Sequence, residues 1–320
     1  MPATLVLRVS RVVVAVVTTT AIAAVGGCAS AGAAGLASAA PHSRALPRTG
    51  ILPPRNPAKN ISPNPNFYEY CVAGGLDNTA ACNAKALQAI DRARGTEPIG
   101  PLRFNLSKFL KLSEARQLFV IADLERVSRG EPPITALTIQ LDKSAQAGAN
   151  IDDDPHLAAR TLSGGAEVRA WGSNWAGGSE SVLGSDDGWM YDDGFGSHNG
   201  GCTSPKATEC WGHRDNILRP WSSDLTGCTA ADSQLVMGAA YARSSKWDTS
   251  FAEIFVAACG HEPTGEIYTW AEAQAALGIS SPRPAGTAAS AGRERIFVVG
   301  STEVSPGDRS SAVTDRIRQR

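Results

Sequence analysis

Residues 188–218 read GWMYDDGFGSHNGGCTSPKATECWGHRDNIL. Two chemically dense segments, W-M-Y-D-D-G at 189–194 and C-W-G-H-R-D-N-I-L at 210–218, flank a Gly-rich loop that Cys202 and Cys210 could close. A neutral imidazole can accept a proton or bind a metal, and adjacent carboxylates can orient it, so His213 with Asp192 or Asp193 is the place where titratable groups converge. The plainer reading makes His213 a buried structural residue and lets the Asp pair end a helix.

Working outward, the flanking chain alternates helical and extended patterns. Ala84, Leu87, Ala89, Ile90 and Ala93 make a helical stripe over 79–95, ended by Gly95. Leu118, Ile121, Ala122, Leu124 and Val127 do the same over 112–130, with Ser113 at the start and G-E-P-P stopping the helix. The ends of these two segments echo each other, but nothing else repeats, which argues against a solenoid. A third helix is expected over 134–149. Residues 168–176 read as a strand and 179–193 as a short helix ending at the Asp pair. Residues 234–242 and 250–259 read as paired strands, and 270–277 as a last helix. Helices before and between a few late strands predict an α+β fold.

The ends differ in character. Residues 1–28 carry Arg8 and Arg11, an apolar run over 12–25, and then small residues, the order of a secretory signal. The run is short for a spanning helix, which needs about 20 residues. Val25-Gly26-Gly27-Cys28 resembles a bacterial lipobox, in which Cys28 becomes the acylated N-terminus; cleavage at Ala37-Ser38-Ala39 would discard it instead. Residues 29–66 are rich in Ala, Ser, Pro and Asn and read as a tether, since proline fixes φ, removes a donor and leaves little to bury. The folded domain is expected over 67–282, and 283–320 reads as a disordered tail. A formal charge of −1 leaves no electrostatic footprint for nucleic acid.

Beyond Cys28, six cysteines remain. An even set in an exported chain reads as disulfides, and no C-x-x-C supports a thiolate metal knot. Cys71 with Cys82 and Cys202 with Cys210 would close short loops. Cys228 stands before one predicted strand and Cys259 ends the next, so an antiparallel hairpin would pair them.

G-H-R-D-N-I-L at 212–218 resembles the G-H-x-x-N signature of bacterial members of the CAP superfamily (cysteine-rich secretory proteins, antigen 5 and pathogenesis-related proteins). Three further pieces agree in order. L-E-R-V-S-R-G-E-P-P-I at 124–134 resembles the family's first helix and turn, G-S-N-W-A at 172–176 its G-E-N-[IL]-A, and W-M-Y-D at 189–192 its W-x-x-E. The resemblance covers roughly 112–260. It implies the three-layer α-β-α sandwich of that family and a cleft lined by two His and two acids, which in some members binds a divalent metal.

Carried over residue by residue, His213 supplies the second His, and Asp192, or else Asp193, stands for one Glu. Ser173 replaces the other Glu, and His156 is the candidate first His. The expected cleft wall is Asn174, Trp175, Trp189, Tyr191, Asp193 and Trp211. With Ser173 where a carboxylate belongs, the metal set is short of ligands and no cofactor is expected; a divalent metal on His213 and His156 is the competing case. His198 and the run Asp152, Asp153 and Asp154 read as solvated loop residues. No G-x-S-x-G offers a serine nucleophile. The functional expectation is an exported, non-enzymatic protein binding a lipid, glycan or protein ligand at the cell surface, with membrane contact only through its N-terminal anchor. The alternative is a metal-assisted hydrolase acting on peptide or wall polymer.

Overall fold

A long antiparallel hairpin forms the centre of the fold. β3 (Ser233–Ser244) and β4 (Asp248–Cys259) pair from Ser233 opposite Cys259 to Ser244 opposite Asp248. The Ser244 hydroxyl closes the turn by accepting from the backbone N–H groups of Lys246 and Trp247, at 3.0 and 2.9 Å. β4 is buried along nearly its whole length and β3 from Gln234 to Ala240. Side chains alternate between faces of a strand, and here each face meets its own apolar core: Leu235, Met237 and Ala239 join one, Val236 and Ala240 the other. A strand covered on both faces reads as a continuous apolar run, as L-V-M-G-A-A does. The computed structural model describes residues 55–260 and 265–279.

Around this hairpin the sheet is mixed. β2 (Glu167–Gly177) runs antiparallel along the outside of β4, β1 (Ala136–Thr138) lies parallel to β3, and β5 (Glu266–Thr269) pairs antiparallel with β1, in the order β2-β4-β3-β1-β5. One core holds Leu141, Ala145 and Ala149 of α4 (Ile139–Ile151) against Val236, Ala240, Ile254 and Val256. The other gathers α1 (Ala80–Thr96), the short α2 (Leu106–Phe109), α3 (Glu114–Ser128), α5 (Val182–Tyr191), α6 (Gly212–Leu218) and α7 (Trp270–Leu277). α7 starts with a full capping box between Thr269 and Glu272. Helices and a five-stranded mixed sheet therefore share one α and β arrangement, and among the described residues no helix is long and apolar enough to cross a membrane.

Several expectations change. The helix expected over 134–149 begins only at Ile139, because Ala136–Thr138 is taken into the sheet as β1; Thr138 then caps α4 by accepting from the Leu141 N–H. The stretch 212–218, read only as a motif, is helical, and the helix before it ends at Tyr191, ahead of the Asp pair. The segment assigned to the tether docks at its C-terminal part. Asn60 accepts from the Gly194 N–H at 2.7 Å and donates to the Phe195 carbonyl at 3.1 Å, and the Ile61 N–H donates to the Tyr191 carbonyl at 2.8 Å.

Three disulfides join the expected pairs: Cys71 with Cys82, Cys202 with Cys210, and Cys228 with Cys259, with Cα atoms 5.2, 4.5 and 5.6 Å apart. Disulfides persist in oxidising compartments, so the pairs fit an extracellular or secreted protein. The signal segment with Cys28 and its lipobox, the tether up to residue 54 and the whole of the tail expected over 283–320 lie outside the described residues.

Candidate functional site

Adjacent residues of α6 point to opposite sides, and that divergence builds the site. Arg214 turns inward, fully buried, donating to the Met190 carbonyl at 2.6 Å and to Glu97 at 2.7 Å. Glu97 also binds Arg129, which pairs with Glu125; Glu125 takes Arg94 as well and accepts from the Tyr191 hydroxyl at 2.9 Å. Burial pushes the Glu125 carboxyl up, but Arg94 and Arg129 outweigh it and hold it below the usual carboxylate range. A buried carboxylate is tolerable only when paired in this way. From α3, the Arg126 guanidinium donates to the Ile217 and Arg219 carbonyls at 2.7 and 3.1 Å, satisfying the end of α6. These contacts clamp α6 against α3 and α5.

His213 faces the other way, with its side chain 21 % exposed. Its Nδ1 lies 2.6 Å from Asp193 Oδ1, and its backbone N–H donates to Asp193 Oδ2 at 3.0 Å. One carboxylate thus caps the start of α6 and holds the imidazole, leaving Nε2 unengaged by that bond. Trp211, before the helix, sits in the left-handed region at φ 64° and offers no side-chain cap, so Asp193 supplies it from another segment. Asn199 fixes Asp193 in turn, donating to Oδ1 at 2.8 Å. Burial alone would lower the His213 pKa, but the hydrogen bond and charge of Asp193, with the charge of Asp154, raise it above the ordinary value. The Trp189 ring stacks at 6.4 Å from the imidazole.

α5 and α6 cover the outer edge of β2. Asn216 donates to the Ser173 carbonyl at 2.8 Å, and the Trp189 indole N–H to the Trp175 carbonyl at 3.2 Å. These bonds occupy backbone acceptors that an edge strand would otherwise leave open to another chain. Gly172 is required here, since a side chain would overlap Asn216. Asn174, wholly buried, donates to the His213 carbonyl at 3.1 Å and to Glu253 Oε1 at 2.8 Å.

No family model, curated protein or solved structure matches the chain. The site therefore stands on its own geometry.

Other expected site residues are placed differently. Asp192 is not the partner of His213; it faces the exposed His198, 3.8 Å away. Tyr191 is not a cleft wall, because it is fully buried with its hydroxyl in the Glu125 ion cluster. Trp211 is buried against Gly194. Trp175 leans on Trp247, with its indole N–H on the Ser250 hydroxyl at 2.8 Å. His156 is exposed and stands edge-on to Trp171 at 6.5 Å. Among the described residues no group of three or more His, Cys, Asp or Glu is arranged to hold a metal.

Two contributors were not singled out from the sequence. Asp154, two residues before His156, is close enough for its charge to act on His213, and its Oδ1 is buried without a partner. Glu253 lies directly across the sheet from Asn174. Asp154 was hidden in a run of three acids, and Glu253 in a strand, F-A-E-I-F, whose apolar flanks gave the sharper signal: a lone acid in a buried strand.

Proposed function

We propose that this chain is an exported, non-enzymatic ligand-binding protein with a CAP-type α-β-α sandwich, and that its ligand enters the cleft beside His213. The observation that carries the reading is the double grip of Asp193 on His213, through Nδ1 and through the backbone N–H. That grip orients the imidazole as a fixed recognition group, with the Trp189 ring, itself buried in the core, backing it from inside rather than forming the cleft wall expected of it. Ser173 in place of an acid supports binding over hydrolysis. The two cores on opposite faces of the sheet support the sandwich. The same reading takes Cys28 as an acylated N-terminus on the outer face of the membrane, so Cys28→Ser should move the protein into the medium.

The metal-assisted hydrolase is the second reading, favoured by one observation: Asp154 brings a second carboxylate's charge to His213. Titration with soluble wall-glycan fragments, and separately with a micellar fatty acid, separates the two. A saturable change in tryptophan fluorescence, weakened at least tenfold in His213→Ala and without product formation, is expected. Turnover that needs added zinc and is lost in His213→Ala would put the hydrolase first.

A further inference from the structure

Glu253 is 1 % exposed on β4, opposite Asn174 in the register of β2 and β4 and opposite Ala239 on its other side. Among the described residues no arginine or lysine pairs with it; its hydrogen-bond partner is the Asn174 side-chain N–H, 2.8 Å from Oε1. The same Asn174 nitrogen reaches the His213 carbonyl at 3.1 Å, and Asn174 Oδ1 accepts from Asn216 at 3.0 Å. A chain of hydrogen bonds thus runs from the middle of the sheet through the edge strand to both ends of the turn carrying the imidazole. We propose that Asn174 and Glu253 are positioning residues for His213, and that the chain they form holds the imidazole in place only while Glu253 carries its proton.

The physical reason is burial without a counter-charge. An ionised carboxylate in such a place is costly unless paired, so the neutral acid is the form that fits a site offering one amide donor. Of the titratable groups on the elements packed around it, Asp186 of α5 is the one that feels the charge of Glu253. Asp186 is itself buried, with both oxygens unpartnered, and burial pushes it well above the carboxylate range. A negative charge on Glu253 would therefore meet no compensation from α5. From β2 it meets the neutral Asn174, and from β3 the methyl of Ala239. Burial raises the Glu253 pKa to about 8, with the Asn174 hydrogen bond opposing. Loss of that proton should draw the carboxylate toward water, release Asn174 and let the His213 turn shift.

The inference rests on the reading of the His213 cleft as the functional site, but its test uses no ligand, so the two can fail separately. The Cε1–H resonance of His213, assigned by its absence in His213→Gln, is followed by NMR from pH 5 to 10. Besides the imidazole's own titration, a second inflection near pH 8 is expected. Glu253→Gln keeps a neutral side chain that can accept from Asn174; it should fold, retain the first inflection and lose the second. Glu180→Gln should leave both in place, although Glu180 is also raised, to about 7, by its burial. A wild-type curve with a single inflection would overturn the proposal without any variant, and so would a second inflection that survives Glu253→Gln.

Discussion

At the scale of single residues, the pair that defines the site is also a folding device. Asp193 satisfies the His213 backbone N–H and its ring together, so removing the ring leaves a 1 % exposed carboxylate with one of its three hydrogen-bond partners gone. Stranding a buried polar group costs about 1 to 3 kcal/mol, and His213→Ala should lose stability by that order in urea denaturation. The sign of its pH dependence follows from the raised imidazole pKa. A base that binds its proton more tightly when folded contributes fully below its unfolded value, about 6.5, and the contribution fades as pH rises through the folded value. The gap between wild type and His213→Ala should therefore narrow from pH 6 to pH 9. A gap that widens would mean the neutral ring is the form the fold prefers. That His213 mattered was legible in its motif. Which of two adjacent aspartates holds it was not, because α5 ends at Tyr191 and the turn after it sends Asp192 outward and Asp193 inward.

At the scale of elements, helices with a clear stripe were legible and short ones were not. α3 and α7 fall within two residues of the stretches their patterns predict. β1 has three residues and α6 has seven, too few for a period to declare itself, and both are held by contacts remote in sequence. α4 packs directly on β3 because Gly238 has no side chain: a methyl there would overlap the Leu141 carbonyl and the Asp142 amide. Asp142 then closes the contact by accepting from the Ala239 N–H at 2.9 Å. Backbone cannot step aside as a flexible side chain can, so Gly238→Ala should cost about 3 kcal/mol, the upper part of the overpacking range. Thermal unfolding would register this as a drop in Tm of several degrees, and an unchanged Tm would contradict the close approach of α4 to β3.

At the scale of the whole molecule, two of the disulfides tie a loop or short turn to a long element. Cys71–Cys82 ties the turn Glu69–Ala73 to α1, and Cys228–Cys259 spans 31 residues from the loop before β3 to the end of β4. In the chain-entropy picture loops of these lengths contribute about 2.5 to 4 kcal/mol each. Reduction should lower the urea midpoint by a correspondingly large amount, and non-reducing peptide mapping should recover the three pairs; a crossed pair such as Cys71 with Cys259 would refute the arrangement.

Taken by itself, the sequence determined the cysteine pairing, the long helices, the central hairpin and the stretch where chemistry gathers, because each depends on residues near one another in the chain or on a hairpin that brings them together. Only the tertiary structure decided that Asp193 rather than Asp192 meets His213, that Tyr191 serves a buried ion cluster rather than a cleft, and that Glu253 meets the Asn174 that also reaches the His213 carbonyl. Those outcomes depend on which way a side chain faces once α5, α6 and the edge of β2 are locked together by Arg126, Arg214 and Asn216, and the contacts that set it join residues from 20 to more than 90 positions apart.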